Sequence, residues 1–109
     1  MNHLLCLFAL PFVALAPAQD HAPVDPVKKR LDESPRHHEW VEVKRAERVV
    51  HAFVAYPEVK EKVTAVLVIH ENKGLTDWVR AVADQLAEAG YIAIAPDLLS
   101  GAGPGGGKT

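Results

Sequence analysis

Residues 39–109 predict an α/β fold: a β-hairpin followed by a β-α-β unit, the front of an incomplete domain. Three observations carry this reading. Two β-branched stretches at 40–44 and 48–56 are separated by Arg45-Ala46-Glu47, and a continuous aliphatic run at 63–69 is followed by apolar residues at helical spacing. A second short aliphatic run, 91–95, then closes on Pro96 and Asp97. Strand, helix and strand in that order form a crossover between parallel strands.

The first element lies ahead of the fold. Residues 4–16, LLCLFALPFVALA, carry no charge, are too short to span a bilayer and lead into Ala16-Pro17-Ala18. This is the pattern of a signal peptide, residues 1–18, and places the protein in an exported, periplasmic or secreted, location. Residues 19–38 hold three prolines and many charges with no sustained apolar period, the composition of a disordered linker.

The hairpin follows. Trp40-Val41-Glu42-Val43-Lys44 alternates, and 48–56 is β-branched and aromatic until Pro57 stops it. Val63-Thr64-Ala65-Val66-Leu67-Val68-Ile69 does not alternate, which predicts a strand covered on both faces, as in a parallel sheet. Gly74 allows a tight turn, and Thr76 is placed to cap a helix with Asp77 in its first turn. Trp78, Val79, Val82, Ala83, Leu86 and Ala87 form the apolar face, with Asp77, Arg80, Asp84, Gln85 and Glu88 opposite. Gly90 ends the helix. The tail from Gly101 is a glycine-rich loop. A hairpin plus two parallel strands leaves one sheet face without a partner, so residues 39–109 are expected to be the first portion of a larger domain.

Removing 18 residues leaves 91, none of the removed ones being charged, so the formal net charge stays at −2. That balance gives no electrostatic case for nucleic acid, nor for a membrane once the signal is cleaved. The single cysteine, Cys6, lies inside the signal, so the mature chain is expected to hold neither disulfide nor cysteine-based metal site.

His70 and Glu71 stand where the aliphatic run 63–69 ends. In open α/β sheets ligands bind beyond the carboxyl ends of strands, and a glutamate there can act as a base or steer a nucleophile. The plainer reading is a solvated acid beside a histidine bonded to a backbone carbonyl.

The stretch from Ser34 onward, and above all His70-Glu71-Asn72-Lys73-Gly74-Leu75 and Ala95-Pro96-Asp97-Leu98, resembles the amino-terminal part of the dienelactone hydrolase (carboxymethylenebutenolidase-like) family, a branch of the α/β-hydrolases. The resemblance covers about the last two-thirds of the chain. It implies the N-terminal part of an α/β-hydrolase sheet, hydrolysis of a small-molecule ester or lactone, no cofactor, and a Cys or Ser nucleophile with His and Asp lying further along. It also implies that Glu71 activates the nucleophile and that the Asn72 main-chain N–H contributes to the oxyanion hole, with His70 and Gly74 supporting the turn. Members specific for dienelactone tend to place an Arg and a Tyr after the Pro-Asp-Leu segment. Here 99–103 reads Leu-Ser-Gly-Ala-Gly, so the resemblance does not carry that substrate.

The nucleophile itself is missing from these residues. A nucleophile elbow needs glycines two positions either side of the attacking residue. Ser34 precedes a proline, and Ser100 is flanked at those positions by Leu98 and Ala102. Two other motifs compete. Residues 102–109 end in Gly-Lys-Thr and approximate a phosphate-binding P-loop, which makes a nucleotide binder, or a non-catalytic binding module, the alternative function. His37, His38 and Glu39 are adjacent, but His70 and Glu71 lack the second histidine of a His-Glu-x-x-His metal site, so no metal is expected.

Residues 1–109 alone are therefore expected not to turn over an activated ester such as p-nitrophenyl acetate. Glu71-dependent release of p-nitrophenol by this chain would overturn the assignment of the nucleophile to other residues.

Overall fold

The structure, a computed structural model, describes residues 23–109. The expected signal peptide and the first residues of the expected linker lie outside the described residues.

The remainder of that linker is not irregular. Residues Pro26–Asp32 form a helix, α1, started by Asp25, whose side chain accepts the Val27 N–H at 2.8 Å, with Pro26 in the first turn where its missing N–H costs nothing. Val27 and Leu31 lie one turn apart, and Leu31 is buried against the second helix. One apolar side chain per turn is too little to show as periodicity, yet enough once a partner helix covers it.

The hairpin is longer than expected: β1, His37–Arg45, pairs antiparallel with β2, Arg48–Tyr56, in a register running from His37 opposite Tyr56 to Arg45 opposite Arg48. β3 spans Ala65–Leu67 and β4 Ile92–Pro96, paired parallel with Leu67 opposite Ile94. β4 also pairs antiparallel with β2, giving one four-stranded sheet in the order β1-β2-β4-β3. The α/β character and the hairpin plus β-α-β sequence are as the pattern predicts.

β3 differs from expectation in its surroundings. It is the edge of the sheet, and the helix between it and β4, α2 (Asp77–Glu88), packs on β2 and β4 instead. Leu67 and Ile69 are accordingly 62% and 56% exposed, so the aliphatic run is not covered on both faces among the described residues.

The core lies between the sheet and α2. Phe53, Ala55, Ala93 and Ala95 on the sheet meet Val79, Ala83 and Ala87 on the helix, with Leu31 and Leu75 closing the ends. Alanine at most of these positions lets the helix backbone approach the sheet closely, at the cost of little apolar area per contact. Thr76 occupies the N-cap position, but its side chain makes no capping bond.

The helix also departs from its expected faces. Trp78 is 66% exposed, whereas Asp84, assigned to the polar side, is 1% exposed. The segment between α1 and β1, with the start of β1, covers it: Arg36 donates to both carboxylate oxygens at 2.8 and 2.5 Å, Ser34 Oγ donates at 2.6 Å, and His38 Nε2 on β1 lies at 2.8 Å. Burial pushes this carboxyl up, but the bonds from Arg36, Ser34 and His38 outweigh it and hold the group down to about 2.

A depressed folded-state value contributes stability that is present above the ordinary 3.8 and is lost as pH falls through about 2. Urea unfolding should thus show a loss of on the order of 1–2 kcal/mol across that window from this group, and a correspondingly smaller loss in Asp84→Asn. At neutral pH the same substitution should cost on the order of 3 kcal/mol, because Arg36 is left with an uncharged partner.

Candidate functional site

Parallel pairing brings two strand ends to one edge of the sheet. With Leu67 opposite Ile94, a step of three residues along each strand puts His70 opposite Asp97. Both are buried, as the chain turns away on either side.

His70 ties the two ends together. Its Nδ1 lies 2.6 Å from the Glu71 carbonyl oxygen, and its Nε2 accepts the Leu98 N–H at 2.9 Å. The ring thus bonds main-chain groups of the turns that follow both strands.

Asp97 is 0% exposed and serves as the hub of the neighbouring turn. Its carboxylate accepts the Leu99 N–H at 3.1 Å, the Thr109 hydroxyl at 2.7 Å and the Thr109 N–H, while its carbonyl accepts the Ser100 N–H and hydroxyl. Burial pushes the carboxyl up, but the Thr109 hydroxyl and amide and the Leu99 amide more than offset this and hold it below the usual carboxylate range.

Beyond His70 the chain opens onto a cleft of about 390 Å³. Val68, Ile69, Trp78 and Val82 make its apolar walls, while Glu71 and Lys73 supply charge. Glu71 is exposed into this space, and its carboxylate forms neither hydrogen bond nor ion pair among the described residues. Asn72 is not part of the lining, and its N–H donates to no acceptor among the described residues. Gly74 turns the loop back at φ +80, a conformation that favours glycine. Its Cα lies so close to the tail that an added Cβ would stand 2.2 Å from Thr109 Oγ1.

The remaining sequence candidates separate from this cleft. The glycine-rich tail does not form a phosphate cradle. The N–H groups of Gly101 and Gly103 go to the Gly107 carbonyl, that of Gly106 to Gly103 and that of Gly107 to Pro104, so the donors a P-loop needs are spent within the loop. His37 pairs with Glu39 at 2.9 Å and His38 with Asp84, two different partners on opposite sides of β1. Neither serine offers a free hydroxyl: Ser34 bonds Asp84, while Ser100 accepts the His51 N–H and donates to the Asp97 carbonyl. Trp78 and Val82 were readable only as core positions of α2, since helical spacing does not distinguish a sheet-facing side chain from one beside a cleft.

Known proteins resemble parts of this chain. The family model of the dienelactone hydrolase family matches residues 50–108. A protein of Escherichia coli (strain K12) named "putative hydrolase fragment YghX" is 55% identical over 42 residues, covering 38% of this chain and 36% of that protein. A "putative carboxymethylenebutenolidase" of Saccharolobus solfataricus is 45% identical over 51 residues, covering 47% of this chain and 19% of that protein. The matched stretches are thus about a third and a fifth of the lengths of these relatives.

Gly74→Ala should lower the urea midpoint by more than Gly90→Ala. Both positions have positive φ and lose about 1 kcal/mol from that alone, but only at Gly74 does a Cβ also strike a neighbour. Equal losses would show that Thr109 does not pack against the turn.

Proposed function

The chain belongs to the dienelactone hydrolase family, and we propose that it supplies the oxyanion side of an active site that cleaves a small-molecule ester or lactone by nucleophilic acyl transfer. The observation that carries this reading is the turn at the end of β3. It holds a carboxylate in a largely apolar cleft, next to a main-chain N–H, and among the described residues neither group has a partner.

The chemistry follows from that pairing. A nucleophilic Cys or Ser adds to the substrate carbonyl carbon, and the carbonyl oxygen gains negative charge as the π bond breaks. The Asn72 N–H donates to that oxygen, and a donor fixed in advance needs no reorganisation as the charge develops. Glu71, beside the entering group, draws on the proton of the resting nucleophile and positions it.

The nucleophile and its His and Asp partners are assigned to polypeptide beyond Thr109, because both serines among the described residues are committed to structural bonds. The greater length of the Saccharolobus solfataricus relative, of which the matched 51 residues are 19%, supports this assignment. The uncharged leader and its Ala16-Pro17-Ala18 site support export of the protein.

Reading the coding sequence past Thr109 tests the proposal directly: a Gly-x-Cys/Ser-x-Gly followed by Asp and then His is expected. In the protein carrying that segment, Glu71→Gln should lower kcat on the order of 100-fold, whereas exposed Glu58→Gln should leave it within about 2-fold. Equal rates for the two variants would remove Glu71 from the mechanism.

A further inference from the structure

We infer that His70 is a positioning residue for the Asn72 donor, and that it does this as the neutral ring with its proton on Nδ1. The inference rests on the proposed oxyanion role of Asn72 and names what holds that donor in place.

The proton's place follows from the partners. The Leu98 main-chain nitrogen is 2.9 Å from Nε2, and a backbone amide can only donate, so Nε2 must present its lone pair. In the neutral ring the proton then resides on Nδ1, where the Glu71 carbonyl oxygen, 2.6 Å away, can only accept. Both partners are main-chain groups of fixed polarity, so they select one tautomer between them. The ring is buried, with only 3% of its side chain exposed, and cannot exchange either partner for water without leaving its site.

The consequence for catalysis comes from peptide geometry. The Glu71–Asn72 bond is trans, so its C=O and N–H point in opposite directions from one rigid plane. Holding the Glu71 oxygen against Nδ1 therefore fixes the direction of the Asn72 N–H. The second bond, to Leu98, anchors the ring to the turn after β4, so the donor is referenced to the sheet rather than to its own loop. The nearest carboxylate, Asp97, lies 3.8 Å from Nε2 and is held by Leu99 and Thr109. It sits on the unprotonated side of the ring and does not replace either bond.

The two bonds can be removed separately. Asparagine at this position retains an N–H near the place of Nδ1, and glutamine retains an acceptor near the place of Nε2. In the longer protein, His70→Asn should keep kcat within about 3-fold, while His70→Gln should lose on the order of 10-fold or more, with KM unchanged in both. Equal kcat losses, or a loss carried by KM, would reduce His70 to a packing residue and overturn the inference. Long-range proton–nitrogen correlation spectra of the full 109-residue chain at pH 8 provide a readout independent of activity. An Nδ1–H ring is expected, and an Nε2–H ring would overturn the inference outright. Absence of ester turnover by the wild-type longer protein would instead strike the acyl-transfer reading, and the spectrum alone would then decide the tautomer.

Discussion

The parallel register of β3 against β4 is the constraint on which the site depends. A shift of one residue would turn every side chain of the short strand to the other face and would move His70 away from Asp97. With Leu67 opposite Ile94, both chains leave the sheet at the same level, and a single imidazole can bridge them. A three-residue strand holds this register weakly by itself. The Val68 N–H extends the ladder to the Ile94 carbonyl at 2.8 Å, and the Ile92 N–H reaches back to the Thr64 carbonyl at 3.1 Å. These bonds lengthen the pairing beyond the regular strand and bring it up to the turn.

The sheet end is rigid for reasons located elsewhere. Small side chains at Ala93, Ala95, Ala83 and Ala87 bring α2 close to β4, but they bury little area. The Asp84 cluster adds what the alanines do not: it locks α2 to the segment ahead of β1 and to the start of β1 through four polar contacts, two of them from one guanidinium. Breaking such a cluster is costly because each buried member is left without a partner. The same segment brings Leu31 onto the core, so polar and apolar contacts fasten the same edge of the helix.

Much of this was legible from residue order. The hairpin, the helix from Asp77 and the second strand follow from alternation, helical spacing and the flanking proline and glycines, because those signals are local. The motif His70 to Leu75 pointed at the strand end that the structure places beside the cleft. Two misreadings had one origin. Residues 26–32 looked like linker because their only contribution to the core is Leu31, and Asp84 looked solvated because its cover comes from just beyond those residues. A charged side chain at helical spacing reads as exposed unless its distant partners are known, and Arg36 lies 48 positions away. The Asp97 hub was likewise unreadable, since two of its partners arrive through the fold of the glycine-rich tail.

The division of labour at the turn has a physical basis. Glu71, to which the proposed reaction gives contact with the nucleophile, is exposed and without a partner among the described residues, while the residue before it is buried and doubly bonded. The Leu98 amide goes to His70 and the Leu99 amide to Asp97. The first of these bonds, through the His70 ring and the Glu71 carbonyl, ties the backbone that carries the Asn72 N–H to the turn after β4. Loosening the turn to gain reach would release that backbone, which is why a buried imidazole, hydrogen-bonded only to main-chain groups of the two turns, suits this position better than a longer side chain.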